Sequence, residues 1–197
     1  MLKTYAALTS SHLLQGTGFA QPAHVLPERV GFEDSALSVM TDFERASAVL
    51  IRPDDSIDEA NKRMIQRGIR LLLVVDDARM VAGLITANDI LGEKPLQVIT
   101  ERGGRRQDIV VRDIMTPQDR LEVLNLGDVR HAHVGHVVAT LKESGRQHAL
   151  VVDVAANGGQ RVRGLFSLTQ IARQLGVSLQ TSEVAHTFSE IEALLTH

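Results

Sequence analysis

Apolar residues come in two unbroken runs, Leu71 to Val75 and Val81 to Ile85, on either side of the turn Asp76-Asp77-Ala78-Arg79. Short continuous runs bounded by turn residues predict a pair of buried strands. Upstream the period changes. Ile57, Ala60, Met64 and Ile65 follow steps of three, four and one, which is one face of a helix. Ser56-Ile57-Asp58-Glu59 supplies a capping box at its start, and Gly68 sits where a helix ends at C′. Ahead of this helix, Ala46 to Ile51 reads as a strand that stops at Pro53, and Ala36 to Thr41 as a short lead-in. After the second buried strand, Thr86 is a good N-cap with Asp89 three residues on. The helix they open is cut short by Gly92 and Pro95.

The pattern then restarts. Residues 93 to 110 are expected to form a connector, with Glu101-Arg102-Gly103-Gly104-Arg105-Arg106 as its charged, flexible part. Val111-Arg112-Asp113-Ile114-Met115-Thr116-Pro117 echoes the lead-in, with Met-Thr displaced by 75. Leu121 to Leu124 reads as a strand. Val134, Val137, Val138 and Leu141 repeat the helix face at a displacement of 77. Gly145 corresponds to Gly68, and Ala149 to Asp153 to Leu72 to Asp76, at that same displacement. Gly164-Leu165-Phe166-Ser167-Leu168-Thr169-Gln170 matches Gly83 to Asp89 at 81. The offset grows only inside turns, as expected of two copies of one fold.

The flanks are less regular. Leu8, Leu13 and Leu14 suggest a short helix, broken at Gly16-Thr17-Gly18 and Gln21-Pro22. Val184, Phe188, Ile191 and Leu195 form one apolar stripe that needs a partner surface, its own body or a second subunit. The expected organisation is an N-terminal extension at 1–35, a first repeat at 36–92, the connector at 93–110, a second repeat at 111–176 and a C-terminal helix at 177–197.

Composition narrows the function classes. Of 197 residues, 44% are hydrophobic and 23% charged, ordinary for a globular protein. Only 3% are aromatic, so stacking platforms for single-stranded nucleic acid are not expected. A net charge of −3 gives no global basic footprint for DNA or RNA. Cysteine is absent, which excludes disulfides and thiolate metal sites. No apolar run approaches the roughly 18–20 residues of a membrane span, and Met1 to Leu8 is too short and too soon polar for a signal peptide. The expected location is cytoplasmic. Gly-x-Ser-x-Gly, P-loop and His-Glu-x-x-His patterns are missing, so no hydrolase is expected.

Two readings stand for Gly83 to Asp89. Thr86 and Asp89 together make a cap. They also suit a nucleotide, because a helix start attracts phosphate and a carboxylate can accept both ribose hydroxyls. Duplication of the stretch favours the second reading.

Val39-Met40-Thr41, Asp55-Ser56-Ile57 with Ala60, Leu73-Val74-Val75-Asp76, and Gly83-Leu84-Ile85-Thr86 with Asp89-Ile90 occur in that order in the first repeat. Asp113-Ile114-Met115-Thr116-Pro117, Leu150-Val151-Val152-Asp153, and Gly164-Leu165-Phe166-Ser167 with Ile171 follow in the second. Over about residues 35 to 175 the chain resembles the tandem cystathionine-β-synthase (CBS) domain pair, of the stand-alone bacterial type. The resemblance implies an α/β fold of two small mixed sheets, each with two helices, packed around a pseudo-twofold axis with two clefts between them. It implies a regulatory module, not an enzyme, that binds AMP, ADP, ATP or S-adenosylmethionine and has no tightly bound cofactor. It also implies a homodimer. With nearly all the chain taken up by the module, any regulated target is expected to be a separate protein.

Carried onto this sequence, the resemblance gives Thr86 to phosphate and Asp89 to the ribose diol. Ala48, Val49 and Leu50 would line the adenine pocket, with Arg70 as a phosphate partner. Ser167 keeps the hydroxyl in the second repeat, but Gln170 replaces the carboxylate and offers no charge. The Asp89 cleft is therefore expected to be the better nucleotide site. The second departure is the cluster His131, His133 and His136, which stands where the first repeat has Asp54, Ser56 and Glu59. That helix is expected to have lost its capping box. The three imidazoles are candidate ligands for zinc or nickel, with Asp128 the closest carboxylate, although surface histidines without a ligand are the simpler expectation. His148, before the second buried strand, is a further candidate to face the central cleft, although a packed or exposed histidine is the simpler expectation. The alternatives to a nucleotide sensor are an assembly adaptor with vestigial clefts, suggested by Gln170 and the tail stripe, and a metal-responsive protein.

Overall fold

The apolar run Leu71–Val75 is continuous because both of its faces are covered. In the computed structural model, which describes residues 26–177 and 188–191, Leu72 and Val74 point to a core of helices, while Leu71 and Leu73 pack with Leu150 between two sheets. The first half of the chain runs β1 (Thr41–Asp42), β2 (Leu50–Ile51), α1 (Ile57–Arg67), β3 (Leu71–Val75), β4 (Val81–Thr86), α2 (Ala87–Leu91) and α3 (Lys94–Arg102). The second runs α4 (Val111–Ile114), β5 (Thr116–Pro117), β6 (Val123–Asn125), α5 (Leu126–Val129), α6 (Val134–Ser144), β7 (His148–Val154), β8 (Gln160–Ser167) and α7 (Leu168–Gln174).

The helix-end signals operate, but only half of the expected capping box forms at α1, because the Glu59 carboxylate accepts from Arg63 Nη2 at 3.0 Å. Ser56 Oγ accepts the Glu59 N–H at 3.1 Å to cap α1. Gly68 and Gly145 end α1 and α6 with φ of 63°, in the left-handed region that favours glycine.

Two four-stranded sheets result, in the orders β2-β3-β4-β5 and β1-β8-β7-β6. Both are mixed: β2 runs parallel to β3 and β6 to β7, and the other pairs are antiparallel. Each sheet thus borrows its edge strand from the lead-in of the other repeat. Thr41 pairs with Leu165, and Thr116 with Leu84. The cores follow. Ala36, Val39 and Met40 are buried in the second repeat's core, and Ile109, Val111 and Ile114 in the first's. The packing units therefore cross the sequence boundaries at 36 and 111. An edge strand and its flanking apolar residues are held by the sheet they pair with, whatever their place in the chain.

Close approach of the borrowed strands accounts for two glycines. A Cβ at Gly83 would meet the Thr116 carbonyl oxygen at 2.4 Å, and one at Gly164 the Thr41 oxygen at 2.8 Å.

Three expectations need correction. The connector is not loose over its whole length. Lys94–Arg102 is helical, with Pro95 in its first turn, where a missing N–H costs nothing. The strand expected over 46–51 is ordered as β only at Leu50–Ile51. The helix α6 has not lost its cap entirely, because His136 Nδ1 accepts the His133 N–H at 3.0 Å, the task Glu performs in a capping box. Of the tail stripe, Phe188 and Ile191 are buried against the second repeat's core. Val184 and Leu195 lie outside the described residues, as do Leu8, Leu13 and Leu14.

Candidate functional site

Borrowing the lead-in strands creates two clefts between the repeats. In one, of about 310 Å³, Thr86 and Asp89 face Thr116, Glu122, Arg146 and His148. In the other, of about 220 Å³, Ser167 and Gln170 face Thr41, Val49, Arg70 and again His148. Thr86 corresponds to Ser167, Asp89 to Gln170, and Thr116 to Thr41, so the clefts are counterparts under the repeat.

Residues named from the sequence as one site are divided between the two. Thr86 and Asp89 share one cleft; Arg70, Val49, Ser167 and Gln170 share the other. The cause is the strand exchange. The chain leaves β1 in the second repeat's sheet and crosses to β2 in the first, so residues 47–49 line the cleft beside Gln170. Leu50 lines neither cleft. It packs against the cluster between the sheets, and its carbonyl accepts from Arg63 Nη1 at 2.6 Å.

Asp89 is already engaged on both oxygens. Its Oδ2 accepts the Thr86 N–H at 2.8 Å and the Thr86 hydroxyl at 2.7 Å. Lys94 Nζ lies 2.6 Å from Oδ1 and also donates to the Ile114 carbonyl at 3.0 Å. The helix α2 has five residues, too few for an appreciable macrodipole, so phosphate has little to gain from its N-terminus. A carboxylate has about four lone-pair directions, and the Lys94 ammonium takes one of those on Oδ1.

Gln170 is held differently. Its Oε1 accepts from the Thr41 hydroxyl, and its Nε2 donates to Gln174 Oε1, both at 3.3 Å. Gln174 is itself buried and donates to the Pro27 and Ser38 carbonyls at 2.7 and 3.2 Å. An amide can pass a hydrogen bond along this chain, and a carboxylate cannot donate. The replacement thus fastens residues 27–41 to the second repeat. Arg70 Nη2 donates to Asn88 Oδ1 at 3.2 Å, and Arg173 also lines this cleft.

His148, the counterpart of Leu71, is the side chain that lines both clefts. Burial, with Arg70 nearby, pushes its pKa down from 6.5 to about 4, partly offset by Asp89. It is therefore neutral at pH 7. The sequence made it a candidate for the centre but did not show that two clefts share it.

The histidines of the His131–His136 cluster serve the backbone. His131 Nδ1 is 2.9 Å from the Gly127 carbonyl oxygen and His133 Nδ1 2.7 Å from that of Glu33. The rings of His133 and His136 stack with centroids 5.5 Å apart. Among the described residues no group of three or more His, Cys, Asp or Glu is arranged to hold a metal ion.

Sequence reasoning missed Lys94, Glu122, Arg146 and Arg173. The repeat offset was a usable signal for Arg146, which stands at the position of Ile69 beside Arg70. Nothing in the sequence announced that Lys94 turns back onto Asp89.

Comparison with known proteins agrees with this geometry. Residues 38–95 match the CBS domain family. A 62-residue stretch is 34% identical to an uncharacterized protein, MK0525, of Methanopyrus kandleri, and covers 32% of each chain, so the match spans about a third of the relative's length. An uncharacterized conserved protein from Pyrococcus horikoshii has a similar crystal structure, with a TM-score of 0.54, 24% identity, and coverage of 78% of this chain and 100% of that one. The CBS domain pair of protein MJ0100, solved in complex with 5′-methylthioadenosine and S-adenosyl-L-methionine, has a TM-score of 0.50 at 20% identity over 74% of this chain and 98% of that one. Among the described residues no helix is long and apolar enough to cross a membrane.

Proposed function

We propose that the chain, whose residues 38–95 match the CBS domain family and whose fold is that of a CBS domain pair, is a regulatory sensor that binds an adenosine-containing ligand in the clefts between its repeats. The observation that supports this most is the pair of counterpart clefts. Each sets a hydroxyl and a polar side chain at the end of a strand against the other repeat, whose apolar surface is Phe43, Val49 and Leu71 in the Gln170 cleft and Leu121 and Leu150 in the more polar Asp89 cleft. That arrangement suits a purine between the sheets and a ribose at the polar pair. Asp89 is the ribose acceptor. A ligand's diol replaces the Lys94 ammonium at Oδ1 while Thr86 continues to orient Oδ2. The similar MJ0100 pair holds two adenosine derivatives, which favours the same ligand class here. Binding across the clefts would shift the repeats relative to one another, which is how such a module can act on a partner or on a second copy of itself.

Calorimetry with AMP, ATP and S-adenosylmethionine tests the reading. Saturable binding of at least one of the three is expected, with S-adenosylmethionine weakened about tenfold or more by Asp89→Ala through loss of a charged hydrogen-bond acceptor. No heat and no melting shift with any of the three would overturn it.

A second reading, an assembly adaptor with vestigial clefts, has one observation in its favour: both Asp89 and Gln170 are already satisfied within the chain. On that reading Asp89→Ala would leave all activity unchanged, and truncation after residue 180 would alter the mass in light scattering. The tail argues against it as far as it is described, since Phe188 and Ile191 are covered by the protein's own core.

A further inference from the structure

We propose that the two clefts sort ligands by charge, the Gln170 cleft taking a phosphate-bearing nucleotide and the Asp89 cleft an adenosine derivative without phosphate. This rests on the reading that adenosine ligands enter the clefts, and adds which ligand goes where. The Asp89 cleft is electrically mixed. Asp89 and Glu122 line it with Arg120 and Arg146. Arg146 is committed to Glu122 at 3.1 Å, and Asp89 is held by Lys94 at 2.6 Å from outside the lining. A phosphate entering there meets two carboxylates, with Arg120 as the one lining arginine outside an ion pair among the described residues.

The Gln170 cleft is different. Arg70 and Arg173 line it, and no Asp or Glu does. Among the described residues neither arginine makes an ion pair, and Arg70 is engaged only with the neutral Asn88 amide. A guanidinium presents a planar fork that matches two phosphate oxygens. Ser47, Ser167 and Thr169 add hydroxyl donors at the same wall. Two arginines line each cleft and His148 is neutral, so the charge difference between the clefts comes from the two carboxylates, Asp89 and Glu122. The Asp89→Gln170 replacement thus has two consequences. It weakens the hold on a ribose, and it removes the negative charge that would repel a phosphate.

The test is calorimetry on the full chain with ADP and with 5′-methylthioadenosine, comparing wild type, Asp89→Ala, Arg70→Gln and Arg173→Gln. Arg173 is exposed, so its substitution does not threaten the fold. ADP affinity should fall about tenfold or more in each arginine variant, the size of a lost charged hydrogen bond, and should weaken steeply with salt. 5′-Methylthioadenosine affinity should be unchanged in Arg173→Gln and fall in Asp89→Ala. If Asp89→Ala, and neither arginine variant, weakens ADP, both ligands use the Asp89 cleft. Charge sorting is then wrong while the sensor reading survives. If neither ligand binds the wild type, both fall.

Discussion

Thr86–Asp89 and Ser167–Gln170 occupy equivalent places in two copies of one fold, yet they do different work. In the first repeat the hydroxyl and carboxylate close on each other as a cap, with Lys94 on the outer oxygen. In the second the glutamine carries a chain of amides that anchors the residues entering β1. The two borrowed strands differ in the same way. Asp42 of β1 receives a two-pronged bond from Arg163, at 2.9 and 2.8 Å. Its counterpart in β5 is Pro117, which has no such side chain. A duplicated backbone therefore does not preserve duplicated chemistry. Each half has spent its polar positions on different tasks, and the asymmetry can be broken experimentally.

The largest effect is expected at Asp42. It is 7% exposed, and the hydrogen bonds from Arg163 hold its carboxyl below the usual carboxylate value. Asp42→Ala leaves Arg163 with only the half-exposed Glu44, at 2.9 Å, and the Glu44 N–H without its acceptor, so it should cost roughly 3 kcal/mol in urea denaturation. Pro117→Ala should cost less than about 1 kcal/mol, as substitutions away from special features do. Equal losses would mean that the ion pair does not pin the exchanged strand.

Next come the two close approaches. Gly83→Ala and Gly164→Ala should each destabilise by about 1–3 kcal/mol. Gly83 should lose more, because its Cβ would come within 2.4 Å of a backbone oxygen against 2.8 Å at Gly164. Thermal unfolding of the pair ranks them.

His148 against Leu71 gives a pH dependence. A folded pKa near 4 against an ordinary value of 6.5 means that the unfolded chain binds more protons between those limits. Stability from keeping this ring neutral is fully present above about pH 6.5, declines as the pH falls, and is gone below about 4. His148→Leu, which copies the first repeat, should flatten the stability profile in that window. The gain at pH 5 should be about 1 kcal/mol, allowing for the ring's partial exposure. A variant profile parallel to wild type between pH 4 and 6.5 would remove His148 as the cause.

The smallest expected effect is at Lys94. Lys94→Met frees Asp89 Oδ1, and affinity for 5′-methylthioadenosine should rise about threefold, the scale of a partly exposed ion pair. A fall would show that Lys94 helps to hold the ligand.

Much of this was legible in the sequence. The buried runs at Leu71 and Ala149, the caps at Ser56 and Gly68, and the repeat itself follow from periodicity and local chemistry, which are properties of neighbouring residues. The exchange of lead-in strands was not legible, because pairing of Thr41 with Leu165 is a choice among distant partners that have the same pattern. The site suffers from this directly: the resemblance groups Val49 and Arg70 with Asp89, and the crossing from β1 to β2 carries them to the other cleft. The helix at Lys94–Arg102 was hidden by Pro95, which reads as a breaker but serves as a first-turn residue. The His131–His136 cluster invited a metal, while its ring nitrogens were needed for backbone groups at a helix start.

The most direct measurement is a crystal structure of the protein grown with saturating 5′-methylthioadenosine. The expected result is a purine between the two sheets, the ribose hydroxyls within hydrogen-bond distance of Asp89, and the Lys94 ammonium moved away from Oδ1. A structure in which both clefts stay free of the ligand and the Asp89–Lys94 pair is intact would contradict the account.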